Sequence, residues 1–402
     1  MPTRRIFLRD SALAMVGVGT APLWLARTAF GGGPVASHKT LVAIFMRGAV
    51  DGLNVVVPHG EKRYYDLRPS IAVPAPGAEG GAIELDERFG LHPSLAALKP
   101  IYDAGQLAVI HAAGSPDPTR SHFDAQDYME AGTPGLKSTP SGWLNRSLTP
   151  GAGAGAPVRA IAMGKRLPRT LRGPEPALAI DDIGKFEVKG PLAPAFQTMY
   201  EESVDAELSA TGRETFEAVA LLKSIEQQGY TPAGGAEYPK GKLGPKLEQI
   251  ARLIKAGAGV EVAFADIGGW DHHTNETPQL TNLLRHLGDS LAAFHRDMGD
   301  RMEDIVVVTM SEFGRTAKEN GTRGTDHGHG NVMLALGGSI KGGRVHGPWP
   351  GLDQDQLYEG RDLAVATDFR NVLGELVTGH LGVSNPATVF PDYQPDGKLG
   401  LL

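Results

Sequence analysis

Five short runs in this chain are almost wholly apolar, and each is flanked by a loop rich in Gly, Asp, His or Ser. The runs are Leu41–Met46, Gln106–Ala112, Val260–Ile267, Ile305–Met310 and Val332–Leu336. A strand with one face in water alternates apolar and polar residues, so an unbroken apolar run predicts a strand buried on both faces. Between the runs, His92–Ala104, Asp124–Ala131, Lys246–Ala256, Thr277–Met302 and Asp368–His380 carry apolar residues at helical spacing. Ala195–Gln228 is long, amphipathic and charge-laced, and predicts one or two surface helices away from any site. This alternation predicts an α/β protein with a doubly wound, mostly parallel sheet and helices on both faces. Ligands of such sheets bind beyond the carboxyl ends of the strands.

The chemically capable residues fall at those ends. Asp51 follows the first run, and Ser115 and Pro118–Asp124 follow the second. Trp270-Asp271-His272-His273 follows the third, and Ser311-Glu312-Phe313-Gly314-Arg315 the fourth. Asp326-His327-Gly328-His329 precedes the fifth. Of 13 histidines, six stand at 111, 122, 272, 273, 327 and 329, so the edge is enriched in possible ligands.

Each piece has a plainer reading. Asp51 before Gly52 suits a turn. Asp271 and His273 suit either a turn with a surface histidine or a two-ligand metal edge. His272 reads as solvent-exposed. Ser121, ahead of Asp124–Ala131, is a helix N-cap or a nucleophile at a helix N-terminus that favours negative charge. Arg120 and Arg315 are surface charges or clamps for an anionic group. Glu312 is harder to set aside, because a carboxylate directly after a buried strand is costly unless paired or metal-bound.

The chain has no cysteine, which excludes disulfides, thiolate metal sites and a cysteine nucleophile. A site of His, Asp and Glu alone points to one or two divalent ions: zinc, manganese, magnesium or calcium. Such ions polarise an ester oxygen and activate a nucleophile.

Residues 3–9 read Thr-Arg-Arg-Ile-Phe-Leu-Arg, ahead of an apolar stretch from Ala12 to Leu25. Paired arginines before Phe-Leu are the address of the twin-arginine translocase, which exports folded proteins. The stretch is short and interrupted by Gly17 and Gly19, a poor membrane span. The expected division is a leader and linker over 1–37 and one α/β domain over 38–402, with a helical insertion near 195–258. The expected location is the periplasm, with no stable membrane span in the mature protein. Four arginines and one aspartate lie in residues 1–30, so the −7 net charge of the chain becomes −10 beyond them. That surface does not favour nucleic acid. Replacing Arg4 and Arg5 with lysine is expected to abolish export. Cell fractionation checks this, and undiminished periplasmic protein would contradict it.

Several of these segments together resemble a known family. They are Arg120-Ser121-His122-Phe123-Asp124-Ala125-Gln126-Asp127, Gly269-Trp270-Asp271-His272-His273 and Ser311-Glu312-Phe313-Gly314-Arg315-Thr316. Glu319-Asn320-Gly321, Gly324-Thr325-Asp326-His327-Gly328 and the glycine-rich Gly338–Gly343 complete the set. From about Leu41 to Leu381 the chain resembles the exported domain of unknown function 1501 family, itself similar to the alkaline phosphatase and sulfatase superfamily. The resemblance implies an alkaline phosphatase-like sheet with a hydrolytic metal site at its carboxyl edge. It implies that Asp51 is the first-strand aspartate and that Asp271 and His273 are the pair on one metal. It places Glu312 where an aspartate usually stands, and His327 as the late histidine ligand. Phe313 stands where the superfamily has a further histidine, which Asp326 or His329 would have to replace. Pro118-Thr119-Arg120 is similar to the tail of a sulfatase signature, but Pro116 occupies its cysteine position, which argues against a formylglycine sulfatase.

The expectation is an exported metal-dependent hydrolase of phosphate or sulfate esters, acting on a small anionic substrate. Its attacker would be Ser121, Ser115 or water, with Arg120 or Arg315 on the anion. Asp51, Asp271, His273, Glu312 and His327 are expected to meet in one pocket. The alternative is a non-catalytic binding or scaffold protein that keeps the fold with a degenerate metal site.

Overall fold

The computed structural model describes residues 39–149, 157–185, 206–394 and 399–402. The expected leader and residues 195–205 of the long helical region lie outside them. The core strands are β1 (Thr40–Arg47), β2 (Leu107–Gly114), β3 (Ala160–Met163), β4 (Leu178–Ile180), β5 (Val262–Gly268), β6 (Ile305–Met310) and β7 (Asn331–Gly337). Two short strands, β8 (Arg344–His346) and β9 (Thr367–Asp368), complete the sheet. The order is β8-β2-β7-β6-β1-β5-β3-β4, with β9 also paired to β2. β1 lies at the centre, where Ile44 faces Ala265 on one side and Thr309 on the other.

Both faces of the sheet are dry. Along β1, Val42, Ile44 and Met46 pack against Leu284, Leu287, Leu291 and Phe294 of α4 (Glu276–Met298). Leu41, Ala43 and Phe45 point the other way, onto Phe369, Leu373 and Leu376 of α5 (Phe369–Gly379). The period-two alternation of a strand thus gives apolar residues to two cores, which is why the run is unbroken. Each fully buried Leu or Ile contributes about 1.5–3 kcal/mol. Leu247, Ile250 and Leu253 of α3 (Gly244–Lys255) thicken the first core, as do Leu222 and Ile225 of α2 (Ala206–Gln227).

β7 is antiparallel to both of its neighbours, while every other pairing in the main sheet is parallel. That one reversal matters for function. The loop that precedes β7 reaches the same edge as the loops that follow β1, β5 and β6. His327 is therefore delivered to the carboxyl edge although it lies ahead of its strand.

Local chemistry sets the helix that borders this edge. α1 (His122–Ala131) starts at Ser121, whose side chain accepts from the Asp124 N–H, and ends at Gly132 with φ of 68°. His92–Ala104 departs from the expected single helix. It divides into a 3₁₀ segment, Pro93–Leu98, and a short helix, Lys99–Asp103. Pro100 has no N–H to continue the ladder of the preceding turn. Among the described residues no helix is long and apolar enough to cross a membrane.

Candidate metal centre

Five segments meet at the carboxyl edge: those after β1, β2, β5 and β6, and the one before β7. The segments after β6 and before β7 lie side by side. Gly314 N–H donates to His329 O at 2.9 Å, Gly328 N–H to Gly314 O at 2.9 Å, and Thr316 N–H to Asp326 O at 2.9 Å. A side chain at Gly314 would put its Cβ 1.8 Å from Gly330 O, so only glycine permits this contact. The loop after β1 turns at Gly48, with φ of 118° and no room for a Cβ against the backbone of Trp270 and Asp271. This close stacking of backbones fixes where the side chains point.

Three histidines and one aspartate converge. His122 Nε2 lies 3.0 Å from His327 Nε2, and His273 Nε2 also lies 3.0 Å from it. Asp271 Oδ1 is 3.2 Å from His327 Nε2 and 3.0 Å from His273 Nε2. Asp271 Oδ2 is 3.4 Å from His122 Nε2. The donor atoms of His122, Asp271 and His327 all lie within 4.8 Å of one another. Asp271 is 43% exposed and His327 25%, so a ligand can enter from solvent.

The other ring nitrogens decide what this cluster is. His327 Nδ1 faces the backbone carbonyl of Arg120 at 2.9 Å. A carbonyl only accepts, so that nitrogen carries the proton. His122 Nδ1 faces Glu312 at 2.9 Å, and His273 Nδ1 faces Asp326 at 2.9 Å. Burial pushes Glu312 up, but bonds from His122 and Gln126 hold it below its usual range. Asp326 is lowered chiefly by its bond to His273. Both carboxylates are therefore ionised acceptors, and both Nδ1 atoms are protonated. His122 and His273 then each turn Nε2 toward Nε2 of His327, whose own proton sits on Nδ1. Lone pairs 3.0 Å apart repel unless a cation lies among them. The hydrogen bond to Glu312 raises His122, whereas burial lowers His327. A ligating histidine normally binds a carboxylate or carbonyl through its far nitrogen, as all three do here. Two ligands each about 2.0–2.2 Å from a tetrahedral ion stand roughly 3.3 Å apart, close to the spacings observed.

The remaining expected site residues surround this cluster or lie apart from it. Glu312 is 1% exposed, and its Oε1 accepts from Gly48 N and Gln126 Nε2, both at 2.8 Å, besides His122. It stands behind the ligands and holds one of them, as Asp326 holds another. Arg315 is buried and donates to Asp271 Oδ1 at 2.6 Å and to Ala49 O at 2.8 Å. Burial pushes Asp271 up, but the Arg315 charge and hydrogen bond bring it below its usual value. Arg315 is thus buried against Asp271, neither a surface charge nor, as it stands here, a free clamp for an anion. Arg120 lends its carbonyl to His327, while its guanidinium binds Glu359 at 2.7 Å and Asp362 at 2.8 Å. Ser121 caps α1, accepting from Asp124 N at 3.5 Å, and Ser115 accepts from Asp117 N at 3.2 Å.

Asp51 is turned to other work. Both of its oxygens bind Arg68, at 2.5 and 3.0 Å, and neither group is more than 2% exposed. Arg68 in turn donates to Ala317 O and Thr316 O, each at 2.9 Å. Burial and the Asp51 charge raise Glu276 well above the carboxylate range, so it keeps its proton and bridges to Asp51. Asn54 and Thr325 bind the Glu276 oxygens at 3.1 and 2.8 Å. His329 stacks on Tyr358, with ring centroids 4.3 Å apart. His111 stays in β2, bonded to Val56 O at 2.8 Å, with burial pushing it down to about 4. The expectation of an exposed His272 is overturned: it is 3% exposed, because the preceding Trp270 enters the core and draws the loop inward.

His122 was overlooked as a candidate ligand. Its neighbour Ser121 carries the stronger local signal as a helix cap, yet His122, Gln126 and Glu130 recur at the i, i+4, i+8 spacing of one helix face. Phe313, in the place of the superfamily's histidine, packs on His122 and His327 at centroid distances of 5.0 and 5.1 Å. It walls the cluster rather than joining it.

The family model described as a protein of unknown function (DUF1501) matches residues 38–391. The chain belongs to that family. No curated protein matches this DUF1501 member in sequence. Among solved structures it is similar to the C-terminal periplasmic domain of EptC from Escherichia coli, in complex with zinc. That match has 10% identity, covers 76% of this chain and 74% of the other, and has a TM-score of 0.33. A sulfatase from Pseudoalteromonas sp. matches at 10% identity over 94% of this chain and 75% of its own, with a TM-score of 0.38. An alkaline phosphatase superfamily protein from Vibrio parahaemolyticus matches at 12% identity over 77% and 62%, with a TM-score of 0.33. Likeness this slight carries no argument about the reaction, which rests on the site itself.

Proposed function

We propose that this DUF1501 protein is an exported, metal-dependent hydrolase of phosphate or sulfate esters. One observation carries the reading: the Nε2 atoms of His122 and His327 and the Asp271 carboxylate face one another, His273 Nε2 lies 3.0 Å from His327 Nε2, and each far nitrogen is already engaged. His122, Asp271 and His327 would hold a divalent ion, with His273 beside them, and imidazoles with one carboxylate suit zinc or manganese. Such an ion supplies charge neutralisation at the ester's non-bridging oxygens and eases deprotonation of the attacker. Glu312, Asp326 and the Arg120 carbonyl keep the three rings aimed. Arg315 holds the Asp271 carboxylate in place. The attacker is water or Ser121, which stands next to His122 at the N-terminus of α1. There the exposed N–H groups favour negative charge. The twin-arginine sequence supports export, since that route carries folded proteins.

A second reading, a binding protein without turnover, draws on a different observation. Arg315, Arg120 and Arg68 already bind carboxylates, so none of the three is left to grip an ester's anionic group at the metal. A panel of phosphomonoesters, phosphodiesters and sulfate esters, offered to zinc- or manganese-loaded protein, separates the readings. The hydrolase reading expects turnover of one class that chelation abolishes. Ser121→Ala should then retain metal: complete loss of turnover marks a serine nucleophile, and partial activity marks water. If no ester turns over, the binding reading takes its place.

A further inference from the structure

We infer that the cavity beside the metal centre is a second anion subsite, and that the substrate is a polyanion carrying another acidic group remote from the ester. This rests on the ester-hydrolase reading for the reaction, but the pocket stands on its own chemistry. The cavity is about 550 Å³ and is bordered by Arg47 at the end of β1, by α1, and by the loops around 137–140 and 166–172. It adjoins the metal centre through a chain of contacts. Arg47 Nη1 donates to Gln126 Oε1 at 3.0 Å, Gln126 Nε2 donates to Glu312 at 2.8 Å, and Glu312 binds His122. Glu130 lines the cavity on the same face of α1 as His122 and Gln126. Eight residues at 1.5 Å each place it roughly 12 Å along the helix from His122.

The charges in the cavity do not cancel. Arg47 neutralises Glu130 at 2.8 Å and shares Asp266, at 2.9 Å, with Lys246. Arg169 neutralises Asp127, and its other arm ties the two loops together at Thr139 O, 2.7 Å away. Every carboxylate lining the cavity is thus matched by an inner cation. Arg166 and Arg172 also line it, are exposed, and have no carboxylate partner among the described residues. Among the described residues Arg172 donates to Leu167 O, at 3.3 Å. Two guanidiniums with no carboxylate partner among the described residues, in a chain of net charge −7, form a site for sulfate, phosphate or carboxylate. They also supply the cationic grip that the committed arginines at the metal cannot.

The test uses the full mature chain, with and without zinc, and a disaccharide carrying two sulfates as the probe. Binding is measured by calorimetry for wild type, Arg166→Ala/Arg172→Ala, Arg166→Lys/Arg172→Lys and His327→Ala. Wild type should bind, and the double alanine variant should bind about tenfold or more weakly, with an unchanged melting temperature. The double lysine variant should recover part of the loss, and His327→Ala should bind as wild type does in the absence of zinc. A double alanine variant as tight as wild type, or a wild type that does not bind, overturns the inference. Arginine-dependent binding alongside failure of every ester to turn over would remove the hydrolase reading and leave the subsite. Turnover without arginine-dependent binding would do the reverse.

Discussion

Replacing His327 with alanine is expected to weaken divalent-metal binding by more than about 100-fold, whereas Glu312→Gln should cost about 10–100-fold, the range for an outer partner of a ligating histidine. The difference follows from position. His327 Nε2 is the point at which His122, His273 and Asp271 all meet. Glu312 touches the cluster only through His122 Nδ1. Glutamine in its place can still accept from His122 but loses the charge that fixes the ring's proton. Asp271→Asn should fall with His327→Ala, because it removes ligand charge while keeping shape, and it weakens the hold on Arg315 to a neutral hydrogen bond. Metal titration of the four proteins gives the ranking directly. An equal loss for Glu312→Gln and His327→Ala would make Glu312 a ligand and reverse the assignment.

Asp51→Ala should destabilise even the metal-free protein, by about 3–5 kcal/mol, while leaving metal affinity near that of wild type. Removing this carboxylate leaves Arg68, fully buried, with a charge answered only by two carbonyls. Desolvation of an unpaired guanidinium then outweighs what packing retains. Glu276 can offset part of the loss by giving up its proton, so the effect should be smallest at high pH. Burial and the Asp51 charge are what keep Glu276 protonated, and alanine removes the second cause. Chemical denaturation of the chelated protein, set beside metal titration, checks both halves. A metal-free protein as stable as wild type that fails to bind metal would place Asp51 among the ligands.

These two predictions mark where the sequence could and could not be read. The central strands were legible because each serves two cores, and the apolar run of β1 is the direct trace of that. The loops at the carboxyl edge followed from the strands. Burial at the strand's end singled out Glu312, but its role depended on where His122 points, and no spacing between 122 and 312 encodes that. The Asp51–Arg68 pair joins a strand loop to a turn 17 residues later with no periodic signal between them. Arg315 read as a surface charge or an anion clamp because its five donors find carbonyls and Asp271 only once the loops have closed around it. Strands β3 and β4 were hidden for a simpler reason. At four and three residues they are too short to separate from loop by pattern alone. The direction of β7 was equally silent, since an apolar run reads the same in either sense.

The most direct test of the metal centre is anomalous diffraction from crystals of the mature protein, purified from the periplasm without added metal and collected across the zinc and manganese edges. The account predicts a peak within bonding distance of His122 Nε2, His327 Nε2 and an Asp271 oxygen, with Glu312 and Asp51 outside that distance. Crystals that show no peak there even after soaking in zinc, or a peak held by Asp51 and Glu312 instead, would contradict it.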